Sequence, residues 1–190
     1  MADLSDIPTS AGPALWTGPR HSGKTTGVAR LVERIRADGL SVAGILAPSL
    51  WRDGRLTGFD LVDLATGQRS SLATRERVGG IRMGRFVFLE DGLALGRNAL
   101  AGPAATGADL VVVDEYGPLE LDGGGWRESV DRLIREASGC VLLVVRRSLI
   151  PALTELYNLP PKHVIDAASD RAVEAAAALV AQRRSSPTER

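Results

Sequence analysis

The sequence predicts an α/β fold in which a mainly parallel central sheet is covered by helices on both faces. Three observations carry this. Short apolar runs alternate along the chain with segments of helical periodicity. Two of the runs, 110–113 and 140–145, are apolar at every position, as strands buried on both faces require. The first strand leads through a glycine-bearing loop straight into a helix, the opening unit of such folds.

In chain order, residues 14–17 form the first strand, and 24–37 form a helix with apolar residues at Val28, Leu31, Val32 and Ile35 that stops at Gly39. Residues 42–46 are the next strand, after which Pro48, Asp53, Gly54 and Gly58 read as a turn-rich stretch. Residues 59–64 read as a strand that pairs with 69–73 as a hairpin around Thr66-Gly67. A short strand at 85–89 precedes a helix at 90–101, closed by Gly102-Pro103. The remaining elements are a central strand at 109–114, a helix at 126–137, a buried strand at 140–145, a short strand at 163–166 and an Ala-rich helix at 171–183. No repeat or linker interrupts the chain, so residues 1–190 are expected to form one domain, with an ordered core at 13–183 and flexible tails at 1–12 and 184–190.

Composition narrows the function classes. Among the 190 residues, Lys plus Arg and Asp plus Glu number 23 each, a balance that lacks the cationic excess of a nucleic-acid binder. Cys140 is the single cysteine, which excludes an internal disulfide, and with two histidines it cannot supply an ordinary zinc site. Residues 1–12 carry Asp3 and Asp6 and no apolar run, unlike a signal peptide, and no apolar stretch approaches the roughly 20 residues that span a bilayer. These features predict a cytoplasmic protein without membrane or nucleic acid as its main partner.

Residues 18–25, Gly-Pro-Arg-His-Ser-Gly-Lys-Thr, match the pattern G-x-x-x-x-G-K-[ST] between a strand and a helix. Backbone N–H groups of such a loop, with the positive end of the helix behind it, surround phosphate oxygens. The candidate phosphate-binding set is therefore Gly18, Pro19, Arg20, His21, Ser22, Gly23, Lys24, Thr25 and Thr26, with His21 serving through its backbone rather than its ring. Lys24 is expected to reach the β- and γ-phosphates, and the Thr25 hydroxyl to ligate Mg²⁺. A second pattern is independent of the first: the apolar run 110–113 ends in Asp114-Glu115, where a Mg²⁺-holding acid and a water-activating base belong. Arginine commonly neutralises the charge that develops on a transferring phosphoryl group. Arg82, Arg85, Arg146 and Arg147 compete for that part; Arg146 is carried forward with Lys24 and Glu115 as the candidate catalytic set. Trp16, Trp51 and Trp126 read as packing residues and Cys140 as a core residue.

Taken in order, these residues resemble the THEP1-type P-loop nucleoside-triphosphatases. The resemblance runs from Leu15 to Leu149 and includes the phosphate loop, the segment Gly58-Phe59-Asp60-Leu61-Val62-Asp63-Leu64, and Gly84-Arg85-Phe86-Val87-Phe88. Its most specific part is Asp114-Glu115-Tyr116-Gly117-Pro118-Leu119-Glu120-Leu121, followed by Val144-Val145-Arg146-Arg147. It implies a RecA-like P-loop domain that hydrolyses nucleoside triphosphates, ATP, GTP or others, with Mg²⁺ as cofactor and broad base tolerance. Lys24, Thr25, Asp114 and Glu115 are then the centre of the site. Arg20-His21 stands where the family often has a further glycine, and Gly123-Gly124-Gly125-Trp126 is a local difference. Two other readings share these motifs: a nucleotide-dependent switch or assembly factor with slow hydrolysis, which responds through 75–86 and acts on a protein partner, and a small-molecule or nucleotide kinase.

Overall fold

The structure is a computed structural model that describes residues 12–19, 22–76 and 79–185. Its elements are β1 (Ala14–Gly18), α1 (Lys24–Ala37), β2 (Val42–Leu46), β3 (Ser49–Arg52), β4 (Arg55–Asp63), β5 (Arg69–Thr74), β6 (Ile81–Met83) and β7 (Phe86–Phe88). They continue through α2 (Glu90–Ala101), α3 (Pro103–Gly107), β8 (Leu110–Asp114), α4 (Pro118–Leu121), α5 (Arg127–Glu136), β9 (Cys140–Arg146), α6 (Ile150–Leu156), β10 (Val164–Asp166) and α7 (Ala172–Ser185). The strands form one sheet in the order β10-β1-β9-β8-β2-β4-β5-β7-β6, with β3 paired to β4. From β10 to β2 every pairing is parallel, which is the expected α/β sheet; from β4 onward the pairings are antiparallel.

Period-two alternation splits the buried side chains into two cores. Val111, Val113, Leu143 and Val145 face α2, α3, α5 and α6, while Leu110, Val112, Leu142 and Val144 face α1 and α7. Helix α1 contributes Val28, Leu31, Val32 and Ile35 at the spacing that the sequence predicts. The close approach of β2 to β8 depends on Gly44, whose φ is 98° and where a Cβ would lie 2.1 Å from the Val112 carbonyl oxygen.

Several elements differ from the sequence-based expectation. The stretch around Asp53-Gly54 is a hairpin, β3 to β4, with both turn residues in the left-handed region at φ 51° and 70°. Strand β6 pairs with β7 through the Gly84-Arg85 turn, and α3 and α6 begin at or next to Pro103 and Pro151, prolines that start helices instead of only ending them. The ends also shift. Gly12, expected in the tail, is buried beneath an Arg183 hydrogen bond to its carbonyl, and α7 runs through Arg184 to Ser185. The rest of both expected tails, 1–11 and 186–190, lies outside the described residues. Among the described residues no helix is long and apolar enough to cross a membrane.

Candidate functional site

The loop after β1 turns into α1 at Gly23, whose φ of 76° is natural only for glycine and which supplies no side-chain cap. The first amides of α1 have no partner within the helix and, with the helix dipole, form an anion site. Ser22 Oγ donates to the Pro19 carbonyl at 2.8 Å and fixes the turn. A Cβ on Gly18 would lie 2.8 Å from that hydroxyl oxygen, so the first glycine of the motif is fixed by packing. Lys24 Nζ donates to the Pro19 carbonyl at 3.0 Å and approaches the Gly18 carbonyl at 3.4 Å, which folds the ammonium back over the loop. Thr25 is half-buried and Thr26 exposed in the first turn of α1; Arg20 and His21 lie outside the described residues.

Strands β1, β9 and β8 are neighbours, so their C-terminal ends share one edge. Asp114 ends β8 and is only 3% exposed. Its Oδ2 accepts the Ala47 N–H at 3.2 Å. Burial pushes its carboxyl up to about 7, against the pull of the Ala47 amide, the Thr25 hydroxyl and, more weakly, the Lys24 ammonium. The two motifs, about 90 residues apart in sequence, thus meet in space. The Asp114–Glu115 peptide is cis. Glu115 Oε1 accepts from Arg146 Nε at 2.7 Å, with each side chain 38% exposed. Arg146 is the last residue of β9 and its backbone stands in register with Gly18, the first residue of the loop.

The donor set suits Mg²⁺. One buried carboxylate and one hydroxyl are hard oxygen ligands, and no cluster of three or more His, Cys, Asp or Glu among the described residues offers an all-protein cage. Mg²⁺ is commonly bound by one or two protein oxygens with the remaining positions given to water and phosphate.

The other candidate arginines do not pair with Glu115. Arg147 Nη2 pairs with Asp166 Oδ2 at 2.6 Å, at the end of β10, where Asp166 stands in register with Thr17 on the other side of β1. Arg82 and Arg85 are exposed on the β6–β7 hairpin, at the far edge of the sheet.

Sequence reasoning quoted Glu120 in the signature but gave it no role, and it did not find the side chains that support it. Glu120 is 5% exposed; its Oε2 accepts the Gly117 N–H at 2.7 Å and its Oε1 the Trp126 N–H at 3.3 Å. Burial raises its carboxyl above the usual range and the two amides pull it back. The Gly-rich difference after the signature has an internal cause: Gly125 has φ 54°, and a Cβ there would sit 2.0 Å from Glu120 Oε1. Trp126 in turn fills the space left by Gly96. Next to it Tyr116 and Tyr157 share a hydroxyl contact of 2.9 Å, Tyr157 donates to Asp131 at 2.9 Å, and Arg127 closes on Asp131 at 2.7 Å. The glutamate three residues after Gly117 was the legible signal, since a Glu at that offset reaches back to cap a helix start.

Comparison with known proteins agrees with this arrangement. The family model described as NTPase matches residues 14–171, past Leu149, so α6 and β10 belong to the shared region as well. The nucleoside-triphosphatase THEP1 of Methanopyrus kandleri is 33% identical over 145 residues, covering 76% of this chain and 79% of the relative. That of Methanothermobacter thermautotrophicus is 36% identical over 140 residues, covering 71% and 77%. The crystal structure of THEP1 from Aquifex aeolicus shares the fold, with a TM-score of 0.66 at 20% identity over 88% of this chain and 98% of that one. The resemblance seen in the motifs therefore extends to the whole arrangement of strands and helices, and the chain belongs to the NTPase family, among relatives of the THEP1 nucleoside-triphosphatase type.

Proposed function

We propose that this chain hydrolyses nucleoside triphosphates to the diphosphate and phosphate with Mg²⁺ and across several bases, the triphosphate lying on the N-terminus of α1. The observation that carries the reading is the meeting, at neighbouring strand ends, of Asp114 and Thr25 with the Glu115–Arg146 pair. Backbone N–H groups of the loop 18–26, Pro19 excepted, hold phosphate oxygens, and the Lys24 ammonium exchanges the Pro19 and Gly18 carbonyls for oxygens of the β- and γ-phosphates. Thr25 and Asp114 would hold Mg²⁺, which when bound would supply positive charge to offset that of the phosphates. Glu115, more than a third exposed, faces water and accepts its proton as the water oxygen bonds to the γ-phosphorus and the bond to the β–γ bridging oxygen breaks. Arg146 orients Glu115 and adds positive charge beside the transferring group.

The test is phosphate release and nucleotide binding with and without Mg²⁺ for the wild type, Lys24→Ala and Glu115→Gln. Glu115→Gln is expected to keep nucleotide affinity and to lose roughly 10²–10⁴-fold in turnover, and Lys24→Ala to lose affinity as well. Release unchanged in both variants refutes the reading.

A further inference from the structure

Glu115 is a partly exposed side chain between two buried ones. Its carboxylate arm is 38% exposed, whereas Asp114 before it is 3% exposed and Tyr116 after it is fully buried. Asp114 is fixed by the register of β8 against β9 and by the Ala47 amide. Past Glu115 the strand has ended, and the Tyr116 amide donates to the Val144 carbonyl at 2.9 Å. A carboxylate that must meet one water is aimed by the backbone on both sides of it, so whatever holds residues 116 and 117 bears on its direction.

Side chains from α4, α5 and α6 hold those two residues in a closed circuit. The Tyr157 hydroxyl, at the end of α6, donates to Asp131 Oδ1 at 2.9 Å. With its single hydrogen committed there, it can only accept from the Tyr116 hydroxyl, 2.9 Å away. Asp131 Oδ2 accepts from Arg127 Nε at 2.7 Å, and Arg127 Nη1 approaches the Glu120 carbonyl at 3.4 Å. The Glu120 carboxylate then returns to the turn through the Gly117 amide at 2.7 Å. Burial pushes the Tyr116 hydroxyl up to about 12 and raises that of Tyr157 as well, so both phenols keep their protons.

Stability alone does not call for the two tyrosines. A buried hydroxyl costs free energy on leaving water, and its hydrogen bond does little more than offset that cost. Phenylalanine at both positions would fill nearly the same space with no polar group to satisfy. What the hydroxyls add is a directed contact, which fixes the Tyr116 ring against α6 where an apolar contact would let it slide. Helix α6 itself follows Arg146 after the turn at 147–149, so the contact also ties the end of β8, with Glu115, to the end of β9, with Arg146.

We propose that Tyr157 is a positioning residue for hydrolysis: through Tyr116 it sets the aim of the Glu115 carboxylate, and Asp131 fixes the direction in which the hydroxyls donate. The proposal rests on the reading of Glu115 as the base and extends it to side chains behind the reacting groups.

The experiment compares phosphate release, nucleotide affinity by calorimetric titration and thermal melts of the full chain for Tyr157→Phe, Tyr116→Phe and the pair together, each also in a Glu115→Gln background. Tyr157→Phe is expected to lower kcat by roughly 5–20-fold with nucleotide affinity within about 2-fold of the wild type. The Phe pair is expected to lose no more turnover than either single variant, and to melt within about 2 °C of the wild type, because both partners of the hydrogen bond go together. In the Glu115→Gln background, residual turnover followed at high enzyme concentration is expected to change by less than about 2-fold, since no carboxylate remains to be aimed. An unchanged kcat in Tyr157→Phe, or a loss of the same size in both backgrounds, overturns the positioning role and leaves the base in place. Wild-type turnover in Glu115→Gln alone overturns the base and the positioning role with it.

Discussion

Replacing Glu120 with glutamine keeps the side-chain volume and removes one acceptor. The carboxylate takes two backbone N–H groups, from Gly117 at 2.7 Å and Trp126 at 3.3 Å, at a site only 5% exposed. A primary amide has one acceptor oxygen, so one of those N–H groups must face an NH₂ group. An unsatisfied buried donor costs about 1–3 kcal/mol, and the surviving bond loses its charge assistance. A total of about 3 kcal/mol, at roughly 2–4 °C per kcal/mol for a chain of this size, lowers the melting temperature by roughly 6–12 °C. The assay is thermal unfolding near neutral pH followed by circular dichroism. Gly125→Ala extends it, because the added Cβ would sit 2.0 Å from Glu120 Oε1. In a Glu120→Ala background that collision is gone, so the double-mutant cycle is expected to show coupling of about 1–3 kcal/mol. A Glu120→Gln melting temperature within about 1 °C of the wild type, or a cycle that adds without coupling, refutes the account of how this turn is held.

Three further outcomes follow from the geometry. Arg147→Ala breaks an ion pair whose side chains are 57% and 48% exposed, so it is expected to cost under about 1 kcal/mol and to leave phosphate release within about 2-fold, whereas Arg146→Ala is expected to lower turnover by at least about 10-fold; kinetics that reverse this order refute the choice of arginine. Leu133→Ala empties a fully buried position in the core under α5 and is expected to cost about 2–5 kcal/mol by urea unfolding. Burial, with the nearby Arg183 and Lys162 charges, holds the His163 imidazole below its usual range, so the unfolded chain takes up the proton first as the pH falls. The His163 share of stability is expected to be full above about pH 6.5 and to decline below it, read as the difference between the wild type and His163→Asn in melts across that range, because the raised Asp114 carboxyl acts with the opposite sign there.

What the sequence made legible, and what it did not, follows from how far each signal reaches. The bounds of α1, β2 and α2 could be read because apolar periodicity and the Gly39 and Gly102 stops are local. Strand β3 was missed because Ser49, Leu50, Trp51 and Arg52 are all exposed, so no alternation marks them; Asp53-Gly54 was the turn signal that deserved more weight. In the site, the phosphate loop and Asp114-Glu115 were legible as motifs. Which arginine stands beside Glu115 was not, since it depends on the register that sets Gly18 opposite Arg146. The Tyr116–Tyr157–Asp131 chain joins residues 41 and 26 positions apart, and nothing local in the sequence announces it.

The division of the core by the sheet has a mechanical consequence. The phosphate loop is continuous with α1, whose apolar face is seated in one core; Tyr116 and Trp126, which flank the turn behind Glu115, are seated in the other. The two halves of the site are therefore mounted on separate foundations and meet at the strand ends of β1, β9 and β8, where Thr25 of α1 also reaches Asp114. On the proposed mechanism, loosening the α1 side bears on grip of the triphosphate, and loosening the α5 side on the aim of the carboxylate.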